Sequence, residues 1–511
     1  MKKGDFFVKI EITRLPNEYW WGGAVGDGIR MPFGEQDIQR DLNDWVLNNQ
    51  ASASLMSNKG RYIYSKEPFR FGFHNDLLTV EGEDIITGQA GQTLYSARQY
   101  LVENAYRPDG KLPHMDMFSK IQYNTWIQMG YEPSQEKVLD YAQSILDHGY
   151  PAGILMLDDC WNQDYGVWEF DASRFPEPKE MVDQLHSMGF SVILWTCPFI
   201  SPDSRQFRYL ESKGFLVNNA DGQPHIAKWW NGYSAILDLT NEGAVAWYRE
   251  QTDRLVRDYG VDGFKMDAGD PEFYPEDCIF HKPMRRAWQS HIWAEIGSYY
   301  PMNELRACFA QECRGITQRM QDKTHEWGIG GMGELIPNGL AMGLVGYSYL
   351  CPDMVGGGMQ GDFSSPDFSL DQELFVRYAQ CAALMPMIQF SLAPWQVLDR
   401  EHAEACKQVL QIRDQYLGTI LDLVEQCRIT SQPIIRPLCY HYPNEGLEKI
   451  TDQFLLGENI VVAPVVEKNA RKRTVHLPQG SWRGADGRLY TGGSWEVDAP
   501  LNFLPIFTKV S

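Results

Sequence analysis

The sequence predicts a multidomain α/β protein in which a (β/α)8 TIM barrel is flanked by an N-terminal β-sandwich and a small C-terminal β-sandwich. The chain has 511 residues, more than a single hydrophobic core usually holds. Its middle alternates apolar strand-like runs with segments of helical periodicity, which is typical of βα units on a parallel sheet. Both ends instead contain short strand-like runs between turn residues. We therefore expect domains at residues 1–117, 118–428 and 429–511.

The two terminal regions are predicted to be β because their apolar and polar residues alternate over short runs. The N-terminal strand candidates are Phe6–Ile12, Arg61–Tyr64, Phe69–Phe73 and Leu77–Val80. The C-terminal strand candidates are Phe454–Leu456, Ile460–Ala463, Thr474–Leu477 and Leu504–Thr508. Gly, Asn, Asp and Pro separate these runs, and each set is long enough for one sandwich.

The central region contains seven strand candidates for a barrel. These are Tyr123–Trp126, Gly153–Leu157, Ser191–Trp195, Val261–Met266, Ala307–Gln311, Gly346–Leu350 and Met385–Phe390. Between them, Glu242–Tyr259 has helical periodicity, with Asn241 as its N-cap and Gly260 at its end. Eight βα units need about 250 residues, and the region from 118 to 428 is longer than that.

The composition excludes several classes of partner. The chain contains 46 Lys and Arg against 67 Asp and Glu, a net charge of −21. Such a chain repels nucleic acids and anionic membrane surfaces. It has no apolar run of about 18 residues and no visible secretory signal. Its 10 cysteines have no repeated spacing, so we expect reduced thiols and a cytoplasmic protein. The sequence leaves a homo-oligomer open.

Polar and charged residues follow the predicted barrel strands. In a barrel of this kind, chemistry takes place where the strands end at their C-terminal side. The residues at or just beyond these ends are Asp158, Asp159, Trp195, Lys265, Asp267, Asp270, Arg314 and Asp322. Carboxylates and cations can bind sugar hydroxyls, and indole rings can stack on the apolar face of a pyranose.

These residues alone leave several chemistries open. A glycosidase needs two carboxyl groups beside the anomeric carbon, one ionised and one carrying a proton. The same carboxylates could hold a divalent metal, since Mg²⁺ prefers oxygen ligands. Lys265 at a strand end could form a Schiff base, as barrel aldolases do. The acids could also be structural, or could bind sugar without catalysis.

Several motifs resemble those of glycoside hydrolase family 31, over nearly the whole chain. The segment from Val261 to Asp270, VDGFKMDAGD, resembles the nucleophile strand of that family. Lys228–Gly232, KWWNG, is similar to the segment before the nucleophile helix, and Cys351–Gly357, CPDMVGG, to an Asp-containing glycine turn. Residues 49–62 resemble the N-terminal sandwich.

The resemblance implies a retaining exo-α-glycosidase that acts on an oligosaccharide or another glycoside through a covalent glycosyl-enzyme. Asp267 would be the nucleophile. Asp322, in Gln321-Asp322-Lys323 and followed by Trp327, would be the general acid and base. Asp270 stands where a Glu is more usual. No cofactor and no metal are needed by this mechanism.

The resemblance also implies a set of substrate-binding residues. Asp158 would bind sugar hydroxyls, and Asp159 would bind sugar or orient a nearby Lys or Arg. Lys265 and Arg314 would each contact a hydroxyl and the carboxylate of the nucleophile. Trp195 and Trp230 would line the subsite of the cleaved sugar; for each of these residues a structural role is the alternative.

Within the family, the motifs look most like the α-galactosidase branch. Supporting segments are Leu157-Asp158-Asp159, Trp195–Phe199 and Phe264–Gly269. The last barrel strand carries Gln389-Phe390-Ser391, where many α-glucosidases of the family have a His. We therefore expect an α-galactoside substrate. The alternatives are an α-glucosidase or α-xylosidase of the same family, or a non-catalytic carbohydrate-binding barrel.

Overall fold

The computed structural model describes residues 7–43 and 49–510. The chain divides into two compact units. The first comprises residues 1–112, 310–388 and 397–511, and the second comprises residues 113–309 and 389–396. Phe6, the first residue of a predicted strand, lies outside the described residues.

The first stretch of the chain is mainly β-structure. Its elements are β1 (Phe7–Thr13), β2 (Trp20–Ala24), β3 (Ile38–Asp41), β4 (Gln50–Ser57), β5 (Arg61–Tyr64), β6 (Arg70–His74), β7 (Leu77–Glu83), β8 (Ile86–Gln89) and α1 (Leu94–Asn104), with a 3₁₀ turn at Val25–Arg30.

In the second stretch, helices and strands alternate. Its elements are α2 (Asp116–Ser119), β9 (Gln122–Asn124), α3 (Thr125–Met129), α4 (Gln135–Asp147), β10 (Ile154–Leu157), β11 (Asn162–Asp164), β12 (Val167–Phe170), α5 (Pro178–Ser187), β13 (Ser191–Thr196), β14 (Phe199–Ile200), α6 (Arg205–Lys213), β15 (Ile226–Trp229), β16 (Gly232–Ile236), α7 (Glu242–Tyr259), β17 (Gly263–Met266), α8 (Ala287–Gly297), β18 (Met302–Leu305) and β19 (Cys308–Phe309), with a 3₁₀ turn at Pro271–Phe273.

The third stretch returns to β-structure at its end. Its elements are β20 (Gln318–Arg319), α9 (Leu335–Leu344), β21 (Leu350–Cys351), β22 (Met354–Val355), α10 (Gln360–Phe363), α11 (Gln372–Ala383), β23 (Gln389–Phe390), α12 (Pro394–Val397), α13 (Arg400–Thr430), β24 (Ile435–Arg436), α14 (Leu438–His441), β25 (Phe454–Leu456), β26 (Ile460–Val462), β27 (Lys472–Gly484), β28 (Leu489–Asp498) and β29 (Ile506–Lys509), with a 3₁₀ turn at Met332–Glu334.

The two terminal regions of the first unit contain β-structure, as predicted, and their strands pair in antiparallel fashion. Near the N-terminus β1, β7, β6 and β3 form one sheet. Strand β4 pairs with β2 and β5, and β5 pairs with β8. Strand β7 alternates buried and half-buried residues, which indicates one face on a core. The C-terminal sheet has the order β24-β25-β26-β29-β27-β28.

The second unit contains a parallel sheet in the order β23-β9-β10-β13-β17-β18. Every residue of β10, β13, β17 and β18 is buried. Burial on both faces is typical of parallel strands that are covered by helices. The βα alternation that the sequence predicts is therefore present. Because parallel strands end at one edge of the sheet, the residues after β10, β13, β17 and β18 lie near one another.

The predicted strand Ala307–Gln311 is wrong in position. The central strand of this region is β18, and Cys308–Phe309 forms a separate short strand. The error has a physical cause. Strand β18 contains Asn303 and Glu304, both almost completely buried, and a search for apolar runs passes over such a segment.

Two other strand boundaries were also displaced. Strand β9 ends at Asn124, where Tyr123–Trp126 was predicted, because the Asn124 side chain accepts a hydrogen bond from the Trp126 backbone N–H at 2.7 Å and begins α3. The predicted strand Gly346–Leu350 is limited to β21, and Gly346 has a φ of 95°, outside the extended region.

Helix α7 begins and ends where the sequence predicts. The Asn241 side chain accepts a hydrogen bond from the Gly243 N–H at 2.9 Å, and Gly260 adopts the left-handed conformation after the last turn.

We expect Asn241→Ala to destabilise the helix start by about 1 kcal/mol, which would lower Tm by about 2 °C. Scanning calorimetry would measure this change. Asn241→Asp is the control because it keeps the acceptor, and an unchanged Tm in Asn241→Ala would contradict the prediction.

Across the described ranges, residues 7–43 and 49–510, no helix is long and apolar enough to cross a membrane.

Candidate active site

Asp267 lies at the end of β17, where the backbone turns sharply. The Asp267 N–H donates to the Thr196 carbonyl at 2.9 Å, which ties the residue to the end of β13. Ala268 and Gly269 then adopt positive φ angles of 55° and 80°. A side chain at Gly269 would collide with the Trp293 ring, so glycine is required there on two grounds.

Four donors surround the Asp267 carboxylate. The Trp195 indole N–H donates to Oδ2 at 2.9 Å, and the Ala268 N–H donates to Oδ1 at 2.9 Å. The Arg306 Nε lies 3.2 Å from Oδ1, and the Lys265 Nζ lies 3.9 Å from Oδ2. Hydrogen-bond donors and cations favour the ionised form of a carboxyl group. The arrangement therefore holds a charged carboxylate in one orientation at the edge of the sheet.

Lys265 connects Asp267 with Asp158. Its Nζ donates to the Asp158 Oδ2 at 2.6 Å, and both side chains are almost fully buried. The two carboxylates stabilise the ammonium form, whereas Schiff-base formation needs a neutral amine. The aldolase alternative therefore has little support. Asp158, Trp195, Lys265 and Asp267 are brought together as the sequence predicts.

Arg306 is a site residue that the sequence reasoning missed. Besides Asp267, its guanidinium binds the buried Asp270 carboxylate, with Nη2 2.5 Å from Oδ2. Its carbon Cζ lies 5.0 Å from the centre of the Trp230 ring, within the range of a cation–π contact. Burial raises the pKa of Asp270, and Arg306 opposes that shift. The missed signal is positional, since Arg306 directly follows β18, whose location was predicted wrongly.

The Asp159 carboxylate contacts neutral side chains. These contacts do not include the Lys or Arg that Asp159 was expected to orient. The Tyr165 hydroxyl lies 3.1 Å from its Oδ2, and the Asn231 amide donates to the same oxygen. The Tyr131 hydroxyl donates to the Asn231 Oδ1 at 3.1 Å. Tyr165 and Asn231 come from loops, so periodicity gave no signal for them.

Burial and then the neighbouring Asp158 raise the pKa of Asp159 to about 7, from an ordinary value of about 3.9. Between these two pH values the folded state binds more protons than the unfolded state, so stability falls as pH rises. We expect Asp159→Asn to remove this part of the decline. The Tm difference between variant and native protein, measured at pH 4.5, 6 and 8, should therefore grow with pH. Asp183→Asn on α5 is the control, and a constant difference would contradict the prediction.

The two predicted tryptophans differ in exposure. Trp195 is 1% exposed and packs near Trp168 and Tyr165, whereas Trp230 is 43% exposed. The indole of Trp195 thus positions Asp267 through its N–H, and the indole of Trp230 presents an open surface beside Arg306. Sugar stacking fits Trp230 better than Trp195.

Asp322 belongs to the first unit and lies in an acidic and basic cluster there. Arg319, at the end of β20, donates to the Asp322 Oδ1 and to the Asp353 Oδ1. The Lys323 N–H donates to the Asp353 Oδ2 at 2.7 Å. Burial raises the pKa of Asp353, Arg319 lowers it and Asp322 raises it. Asp322 is partly exposed, and Asp353 is completely buried, which suits a structural acid.

Arg314 also belongs to the first unit, in the turn after Glu312. Burial raises the pKa of Glu312 to about 7, and the charges of Arg314 and Arg107 oppose that shift. Contact of Arg314 with the nucleophile and with sugar stays a prediction.

The segment Gln389-Phe390-Ser391 is buried. The Gln389 amide donates to the Gln122 Oε1 at 2.7 Å and to the Glu304 Oε2 at 2.9 Å. The Ser391 hydroxyl donates to the Asn124 carbonyl at 3.1 Å and accepts from the Ile127 N–H at 2.6 Å. The hydroxyl of Ser391 is thus engaged by the backbone.

The metal alternative requires a group of oxygen, nitrogen or sulfur ligands. In the part of the chain that the structure describes, no three or more His, Cys, Asp or Glu side chains are grouped so that they could hold a metal ion. Asp158 and Asp267 are instead paired with Lys265 and Arg306.

Comparison with solved structures shows the fold. A Flavobacterium johnsoniae GH31 dextranase complexed with glucose has a TM-score of 0.83 and 20% identity, over 99% of this chain and 68% of that one. A GH31 α-xylosidase from a soil metagenome has a TM-score of 0.84 and 21% identity, over 100% of this chain and 80% of that one. The predicted barrel fold is confirmed.

Sequence comparison gives the family. Residues 115–328 match the glycosyl hydrolases family 31 TIM-barrel domain, and residues 431–510 match the family's C-terminal domain. Myogenesis-regulating glycosidase of Mus musculus is 31% identical over 78% of this chain and 57% of its own length. Alpha-glucosidase 2 of Bacillus thermoamyloliquefaciens is 25% identical over 74% of this chain and 51% of its own length. The chain thus spans little more than half the length of these curated relatives. It belongs to glycoside hydrolase family 31.

Proposed function

We propose that the chain is a retaining exo-α-glycosidase that removes a non-reducing terminal α-linked sugar, with an α-galactoside as substrate. The observation that carries the proposal is the setting of Asp267. Its carboxylate is fixed by the Trp195 indole and the Ala268 N–H and is flanked by Arg306 and Lys265. A nucleophilic carboxylate needs this charged, oriented state. Family membership supports the same reading.

In the first step, Asp267 attacks the anomeric carbon while the bond from that carbon to the leaving oxygen breaks. Asp322 transfers its proton to the leaving oxygen. The product is a covalent glycosyl-enzyme with inverted configuration. Lys265 and Arg306 stabilise the carboxylate before the attack and after its release, and Asp158 binds hydroxyl groups of the sugar.

In the second step, Asp322 takes a proton from water, and the water oxygen attacks the anomeric carbon. The bond to Asp267 breaks, and the carboxylate returns to its charged form. Two inversions give net retention of the α configuration. Trp230, with its exposed indole beside Arg306, is placed by this proposal against the apolar face of the bound sugar.

The proposed preference for galactosides rests on the motifs that resemble the α-galactosidase branch and on the segment Gln389-Phe390-Ser391. The segment Gln389-Phe390-Ser391 stands where many α-glucosidases of the family have a His, and the Ser391 hydroxyl is engaged by backbone groups. Relatives named alpha-glucosidase 2 and alpha-xylosidase XylQ favour the alternative glycones, at 25% and 23% identity.

We expect kcat/KM for 4-nitrophenyl α-galactoside to exceed that for the matched α-glucoside by about 100-fold or more. Galactose and glucose differ in one epimeric hydroxyl, and a site that bonds one epimer leaves a buried polar group unpaired with the other. The matched aglycone keeps the leaving group constant, and Asp267→Ala controls for contaminating glycosidases. If the glucoside is cleaved ten times faster, the substrate assignment is wrong, whereas the two aspartates keep their roles. The α-xyloside tests the remaining alternative.

A further inference from the structure

The C-terminal sheet of the first unit carries a cavity lined by aromatic and charged side chains. The cavity has a volume of about 530 Å³, within the range of small-molecule sites. Its lining includes the aromatic residues Tyr490, Trp495 and Phe503 and the charged residues Asp486, Arg488 and Asp498. We call these six residues the β28 cavity because four of them lie on or beside strand β28. No catalytic role in the proposed mechanism uses them.

Trp495 is held in a fixed position with part of its surface open. The residue is 38% exposed. Its indole N–H donates to the Thr491 carbonyl at 2.8 Å, so that polar group needs no ligand. The Trp495 ring forms an edge-to-face pair with the Tyr490 ring, with centroids 5.3 Å apart and an interplanar angle of 82°. Because its neighbours orient the indole in advance, a ligand that stacks on it needs to order little protein.

The charged residues of the lining supply the polar groups that such a ligand would need. The Tyr490 hydroxyl donates to the Asp486 Oδ2 at 2.6 Å, and Arg488 lies 3.8 Å from the same carboxylate oxygen. The Arg488 side chain is 77% exposed, so its other donors face solvent. Asp498 ends β28 and also lines the cavity. Carboxylates accept hydrogen bonds from hydroxyl groups, and the guanidinium donates to them.

This chemistry selects a carbohydrate. A partly exposed indole beside side chains of both charges suits a ring that has C–H faces and hydroxyl edges. Polyanions such as nucleic acids are disfavoured, since the chain has a net charge of −21. We infer that the β28 cavity is a secondary binding site for neutral oligosaccharide chains, with Trp495 as its stacking platform. This inference concerns a separate surface and does not depend on which terminal sugar the proposed active site removes.

Affinity electrophoresis tests the inference. The Asp267→Asn protein, in which hydrolysis is blocked, is run in native gels that contain guar galactomannan or dextran, with free galactose and free glucose added to occupy the active site whichever of the two sugars it takes. We expect retardation in at least one gel. Adding Trp495→Ala should raise the apparent dissociation constant by about fivefold or more. Trp495→Tyr, which keeps an aromatic ring, should retain part of the binding.

Two further variants make the result specific. Arg488→Ala changes an exposed residue of the lining and is expected to weaken binding without affecting folding. Tyr209→Ala removes an exposed aromatic ring on α6 and should leave retardation unchanged. Hydrolysis of 4-nitrophenyl α-galactoside by the single variant Trp495→Ala should stay within about twofold of native. Lack of retardation in both gels, or retardation that survives both Trp495→Ala and Arg488→Ala, overturns the inference. Failure of the native protein to hydrolyse 4-nitrophenyl α-galactoside would instead challenge the proposed function.

Discussion

Asp267→Ala is expected to lower kcat/KM by about 10⁴-fold or more, the largest effect of any substitution considered. The variant lacks the group that forms the covalent intermediate, so both chemical steps lose their route. In the native protein, Arg306 and the Trp195 indole N–H contact the Asp267 carboxylate. The variant removes that partner from both. Initial rates with 4-nitrophenyl α-galactoside measure the effect. Circular dichroism and Tm determine whether the fold is kept.

Asp267→Asn separates chemistry from folding, because it keeps the shape of the side chain and an oxygen acceptor for the Trp195 N–H. It should be inactive with a Tm close to that of the native protein. A nucleophile assignment makes one further demand. Azide should enter the space vacated in Asp267→Ala and give a β-glycosyl azide. Asp158→Ala, which removes the partner of Lys265, should not be rescued. An active Asp267→Ala variant would exclude the assignment.

The nucleophile strand was predictable because several independent signals coincide there. Val261–Met266 is an apolar run that follows Gly260, and Gly260 ends a helix with a recognisable cap. Strand β17 is buried along its whole length, so its apolar composition reflects its environment. The chain must leave the sheet after such a strand. Asp267 is the first residue beyond β17 and lies at the edge of the sheet where chemistry is expected.

Arg306 was not predictable by the same method, although it contacts Asp267, the proposed nucleophile. Strand β18 is buried but contains Asn303 and Glu304, whose polar groups are compensated by other buried polar groups rather than by solvent. The Asn303 amide donates to the Tyr300 carbonyl and Glu304 accepts from Gln389. The pairing of Glu304 with Gln389 joins residues 85 positions apart in the chain and leaves no local pattern, so apolar periodicity placed the strand too late.

The partners of Asp159 were missed for a different reason. Asn231 lies between β15 and β16, and Tyr165 lies between β11 and β12. Both hairpins follow barrel strands as insertions, and no periodic signal connects a hairpin turn with a strand end. The resemblance to family 31 had included Asn231 in a motif without giving it a role. The Asn231 amide donates to the Asp159 carboxylate, so the structure places Asn231 beside Asp159.

Asp322→Ala is expected to affect substrates according to their leaving groups. General acid catalysis contributes about 10²–10⁴-fold, and it is needed most when the leaving oxygen is basic. Hydrolysis of an alkyl α-galactoside should therefore fall by about 10³-fold or more. For the 2,4-dinitrophenyl galactoside, the leaving dinitrophenolate needs no protonation. The rate of the first step with this substrate should therefore fall much less. Steady-state rates across a series of aryl galactosides measure this dependence.

The environment of Asp322 supplies the control for this prediction. Arg319 bonds both Asp322 and the buried Asp353, so a change at either acid disturbs the same guanidinium. If Asp322 acted only by holding Arg319, then Asp353→Asn would reproduce its effect on every substrate alike. We expect instead that Asp353→Asn lowers Tm without any dependence on the leaving group. Azide should accelerate the second step in Asp322→Ala and give an α-glycosyl azide, because it needs no general base. Equal losses for alkyl and dinitrophenyl galactosides, with no acceleration by azide, would remove Asp322 from the mechanism.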